Sequence, residues 1–72
     1  MNLENKWIAI EPGVMALEHT KFRIVYQKGS SVPFRVQWDG EPIPDHAHST
    51  LSAAQRAAEA WIDSLMTMGF EI

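Results

Sequence analysis

From Thr20 onward apolar and polar residues alternate in a way that only one local structure explains. Phe22, Ile24 and Tyr26 are interleaved with Lys21, Arg23, Val25 and Gln27. A period of two puts successive side chains on opposite faces, so residues 20–28 are predicted to form a half-buried strand. Gly29-Ser30-Ser31 reads as a turn. Phe34, Val36 and Trp38 then alternate with Arg35 and Gln37, a second strand with the same pattern. The two strands pair as an antiparallel hairpin with their aromatic and branched residues on one face. Asp39-Gly40 is a two-residue turn signal suited to positive φ.

Around this hairpin the pattern is less regular. Lys6 to Ile10 (KWIAI) is a short apolar run of strand formers, stopped by Pro12-Gly13. VMALEH, next in the chain, fits either a loop or one turn of helix. Glu41 to Ile43 is long enough for a short fourth strand, which Pro42 and Pro44 confine to a sheet edge because proline has no N–H to donate.

At Ser52 the period changes. Ala54, Ala58, Trp61, Leu65 and Met68 recur at steps of four and three, widened by Ala57 and Ile62, while Arg56, Glu59 and Asp63 fall elsewhere. That stripe predicts one amphipathic helix of about 17 residues, roughly 25 Å long. Ser52-Ala53-Ala54-Gln55 fits a capping box, with Thr50 as a rival cap. Gly69 suits a left-handed end. The small residues 54, 57 and 58 let the helix backbone lie close to the sheet, and Trp61 and Leu65 fill the wider gap beyond. The tail Phe70-Glu71-Ile72 either folds back on the core or pairs at a sheet edge. The expected fold is therefore α+β: three or four antiparallel strands with one C-terminal helix on one face, forming a single small domain over residues 1–72.

One helix covers one face of a sheet. The other face is expected to carry Lys21, Arg23, Gln27, Arg35 and Gln37. Trp7 joins them if Lys6, Ile8 and Ile10 face the helix. Net charge sharpens this picture. The chain is −3 overall, yet residues 19–37 hold Lys21, Arg23, Lys28 and Arg35 and no acid, whereas residues 38–72 hold six acids against Arg56. Arginine matches carboxylate or phosphate with its planar fork, and arginine with an aromatic is a frequent composition at interface hot spots. Lys21, Arg23, Arg35, Gln37 and Trp7 are thus the candidate binding residues. The plain alternative is a solvated strand face, neutralised from its ends by Glu18 or Asp39.

Other chemistry is scarce. The chain has no cysteine, which removes disulfide scaffolds and thiolate sites and favours a reducing compartment for so small a domain. No apolar run reaches the roughly 20 residues of a bilayer span. MNLENKWIAIEPG lacks the basic and apolar parts of a leader, so a cytoplasmic location is expected. Asp45, His46 and His48 are the only group with metal-ligand character. They lie in a proline-bounded connection, and His19, the remaining histidine, has no reason to converge on them. Imidazole sites need a held geometry, so neither a metal nor a cofactor is expected. No nucleophile elbow or related motif is present, and a non-catalytic protein is expected.

Two folds resemble this layout. HTKFRIV (residues 19–25) and SAAQRAAEAWIDSL (residues 52–65) are similar in arrangement to the double-stranded-RNA-binding domain, over roughly residues 6–65. The lysines with which that family holds phosphate would fall on Ala53 and Ala54, and its first helix has no counterpart. The resemblance therefore implies the helix packing without the RNA contacts. The strand–strand–strand–helix order, the face with Arg23, Arg35 and Trp7, and the ending AAQRAAEAWI also resemble the AP2-like module, which implies DNA binding through the face of a three-stranded sheet. In size and in lacking catalytic motifs the chain looks like small phage or mobile-element accessory proteins, anti-CRISPR inhibitors among them. The acidic total of −3 and the few cations count against phosphate binding, so the expectation is a protein-binding module. Its partner is a protein with an acidic surface or a second copy, with nucleic acid as the alternative.

Overall fold

The computed structural model describes residues 6–69. Its centre is the hairpin legible in the alternation. Strand β3 (Phe22–Tyr26) pairs antiparallel with β4 (Phe34–Trp38). Phe22 stands opposite Trp38, Ile24 opposite Val36, and Tyr26 opposite Phe34. Phe22, Ile24 and Val36 are fully buried between sheet and helix. Asp39 and Gly40 adopt φ of 53° and 82°, the two positive angles that let a two-residue hairpin turn match the twist of its strands.

The sheet is wider than the pattern indicated. It has five strands in the order β1-β2-β3-β4-β5, every neighbour antiparallel, against the three or four expected. Two corrections account for the difference. VMAL is neither loop nor helical turn but strand β2 (Val14–Leu17), joined to β1 (Trp7–Glu11) by a tight turn at Pro12-Gly13. Ala16 and Leu17 are both buried, and all four residues of this strand are apolar. A strand apolar at every position shows no alternation by which to recognise it. The second correction is at the other edge. Residues 44–48 are not a connection but the continuation of β5 (Glu41–His48). Pro42 and Pro44 do sit on an edge strand, as their missing N–H requires, and the β4–β5 register slips between Arg35 and Gln37 to accommodate the extra residues.

The helix α1 (Leu51–Thr67) follows β5 after only Ser49 and Thr50. It buries Ala54, Ala58, Ile62 and Leu65. Ala54 and Ala58 are 0 % exposed, the close approach that small residues in the first turns permit. Because α1 begins beside β5, it packs on β3, β4 and β5. The N-cap is Thr50, whose Oγ1 accepts from Ala53 N–H at 3.2 Å. Ser52 is already helical, so the capping-box reading is corrected. The short link from β5 puts the extended residue at 50, where φ is −129° and ψ 153°. Thr50→Ala is therefore expected to cost about 1 kcal/mol, and Ser52→Ala much less, as compared by thermal melts. At the far end Gly69 has φ of 85°, the left-handed end expected of it. The tail at 70–72 lies outside the described residues. No helix among the described residues is long and apolar enough to cross a membrane.

Candidate functional site

The register assigns every strand residue to a face. Ile8, Ala16, Arg23, Gln37 and Pro42 line up across the sheet in one row, and Val14, Val25, Arg35 and Ala47 in the next. These rows form the face away from α1. Arg23, Arg35 and Gln37 are thus on the open face, as the alternation predicted. Arg23 stands directly opposite Gln37, and Arg35 directly opposite Val25, one diagonal step away.

At one end of this face is a depression of about 370 Å³ lined by Thr20, Lys21, Arg23, Gln37, Asp39 and Gly40. Lys21 precedes β3, and its carbonyl accepts from Asp39 N–H at 3.1 Å, which brings the hairpin turn beside it. Arg23 Nη1 donates to the Phe22 carbonyl at 3.3 Å. That leaves most of its five N–H donors for something else. Among the described residues no lysine or arginine is in an ion pair. The close acid contacts are those of His19 with Glu18 at 3.8 Å and of His48 with Asp45 at 3.6 Å. Neutralisation of the face by Glu18 or Asp39 therefore does not take the form of an ion pair. The depression can receive an anionic group: two cations and an amide converge on it, with one acid at the rim.

Arg35 does something different. Its Nε donates to the Val32 carbonyl at 2.9 Å and its Nη2 to Ser30 Oγ at 3.3 Å. Ser30 Oγ in turn accepts from Val32 N–H at 3.2 Å. The guanidinium therefore holds down the β3–β4 loop, and the depression lies beyond its reach.

Trp7 is the correction among the candidates. It pairs with Leu17 on the helix side, packs against the core, and donates its indole N–H to Glu59 Oε2 at 3.3 Å. The WIAI run is apolar at every position, so alternation could not select its phase. The larger ring takes the covered side, and Ile8 takes the open one. Trp7→Phe is expected to lose about 1 kcal/mol through this hydrogen bond, read by denaturant titration, and to leave binding at the open face unchanged.

The open face is also less basic than the five polar residues expected on it suggested. Ile8, Val14, Val25, Pro42 and Ala47 surround the arginines, giving a mixed apolar and cationic surface. Thr20, Asp39 and Gly40 were not foreseen as lining residues. Antiparallel pairing carries the signal: the turn that ends β4 must lie beside the residue that begins β3.

His46 and His48 belong to the fold of β5. His46 Nδ1 donates to the Ile43 carbonyl at 3.1 Å, and His48 Nε2 to the Asp45 carbonyl at 2.7 Å. Both rings thus tie down the irregular stretch of their own strand. Among the described residues no group of three or more His, Cys, Asp or Glu is placed to hold a metal ion. A second concavity, apolar and about 210 Å³, opens on the helix side between Ala9, Met15, Ile24, Tyr26, Phe34 and Leu51, where α1 leaves β1 and β2 uncovered.

No family model, no curated protein and no solved structure matches this chain.

Proposed function

We propose that this protein is a small non-catalytic binding module that docks an acidic surface of a partner protein on the open face of its sheet. One observation carries the reading. Lys21, Arg23 and Gln37 converge on a single depression, and among the described residues no acid is paired to either cation. The apolar residues around it supply area that a desolvated contact uses, with the arginine as anchor. A mode of this kind suits an inhibitor, which acts by occupying a surface.

The composition of the face favours protein over nucleic acid. Phosphate binding gains affinity with each cation brought to the backbone. Here Lys21, Arg23 and Arg35 are the cations of the face, and Arg35 is committed to its loop. Symmetric self-association through this face is disfavoured too, because a two-fold contact sets a patch against its own copy and so cation against cation.

The test is a binding comparison with two probes, a glutamate-rich peptide and a DNA duplex, at about 50 mM and 200 mM salt. The peptide is expected to bind and the Arg23→Glu variant to lose that binding. Tight duplex binding with a steep loss on adding salt would establish the nucleic-acid reading instead. Equal peptide binding by the folded variant would remove the open face from consideration.

A further inference from the structure

We propose that the free edge of β1 pairs antiparallel with β1 of a second copy of this chain, giving a two-fold dimer with one continuous sheet. This inference does not rest on the acidic-partner reading.

The two edges of the sheet are built differently. The β5 edge is blocked. Pro42 and Pro44 have no N–H to offer, the register slips along the strand, and the Ile43 and Asp45 carbonyls are already taken by histidine rings. Those are the devices by which sheets prevent edge-to-edge pairing. Among the described residues the β1 edge is protected only by a register shift between Ala9 and Glu11, near its end. Trp7–Glu11 contains no proline and no lysine, and it carries two of the exposed large apolar residues, Ile8 at 38 % and Ile10 at 47 %.

Backbone geometry sets the register of the pair. Glu18 N–H donates to the Lys6 carbonyl at 2.9 Å, so Lys6 and, two residues on, Ile8 turn their polar groups toward β2. In an antiparallel ladder the intervening residues turn theirs the other way. Trp7 and Ala9 therefore point their N–H and C=O groups out of the free edge. A second β1 satisfies those of Ala9 when Ala9 stands opposite Ala9 of the other copy. That register brings Ile8 of each copy beside Ile10 of the other, whereas Glu11, past the register shift, turns back to β2 and pairs with Val14.

Charge selects the second copy over an unrelated strand. The segment begins with Lys6 and ends with Glu11. Antiparallel self-pairing about Ala9 runs the basic end of each segment past the acidic end of the other, with Lys6 one residue beyond the position opposite Glu11, whereas parallel pairing stacks like charges. The segment is complementary to itself in the one orientation that a two-fold axis also gives.

Sedimentation velocity over a dilution series tests this. The expected result is a species of twice the 8.2 kDa chain mass that dissociates on dilution. The Ala9 amide is expected to exchange at least tenfold faster in the dilute sample. Ala9→Pro removes a donor from the free edge only, since that N–H points away from β2. It is expected to fold, by circular dichroism, and to sediment as a monomer. Should proline unfold the chain, Ile8→Lys decides, because it adds a charge to the edge and leaves the backbone unchanged. A wild-type monomer at every concentration would overturn the proposal. So would a dimer that persists in a folded edge variant, or an Ala9 amide whose exchange ignores concentration.

Discussion

Phe22→Ala is expected to remove about 3–5 kcal/mol of stability, the usual cost of emptying a buried aromatic site. Phe22 is 0 % exposed on the central strand. Its ring lies 6.4 Å from that of Trp38, its cross-strand partner, at 37°. Ala54 and Ala58, in the same buried cluster, cannot extend into a void because they carry only a methyl group. The site therefore has little means of collapse. Total stability for a chain of this length is on the order of 4–11 kcal/mol at about 0.05–0.15 kcal/mol per residue, so the loss is a large fraction of the whole. Urea titration followed by tryptophan fluorescence reads it as a fall in midpoint. A loss below about 1 kcal/mol would mean that the core is not packed around this ring.

Arg23→Glu is expected to weaken binding of an acidic partner by at least a hundredfold while leaving the fold intact. The native side chain makes one hydrogen bond within the protein, to a neighbouring carbonyl. Its loss is worth about 1 kcal/mol, too little to unfold the domain. At the interface the change is larger, because reversal removes an attraction and installs a repulsion in a desolvated contact, where such charges are worth several kcal/mol. Arg35→Gln separates the two kinds of arginine. It frees the loop at Ser30 and Val32 and is expected to lower stability more than it lowers affinity. Isothermal titration against the glutamate-rich peptide, with melting curves for each variant, distinguishes these outcomes. Equal affinity losses for Arg23→Glu and Arg35→Gln would contradict the division of roles.

What could be read from the sequence follows how each element is buried. The β3–β4 hairpin is covered on its helix side alone, so its alternation was plain, and its faces and pairing followed. The helix showed itself by its period, and its alanines told how closely it would lie. The remaining strands hide their pattern for separate reasons. Strand β2 is apolar throughout VMAL, β1 is apolar throughout WIAI, and β5 carries two prolines and an irregular register. Ser52, with Gln55 three residues on, was the preferred cap and Thr50 its rival, and the short β5–α1 link decides for Thr50. The candidate site divides in the same way. Lys21, Arg23 and Gln37 were found because period two assigns faces. The role of Arg35 was not, because a guanidinium folding back on its own loop leaves no periodic trace. Trp7 depended on a phase that an all-apolar run does not encode.

The most direct test of the account is an NMR titration of isotope-labelled protein with the glutamate-rich peptide, following each backbone amide. The account expects the amides of Lys21, Arg23, Gln37 and Asp39 to shift and saturate together, while those of Ala58 and Ile62 in the helix stay in place. Shifts confined to the helix side, or none at saturating peptide, would contradict it.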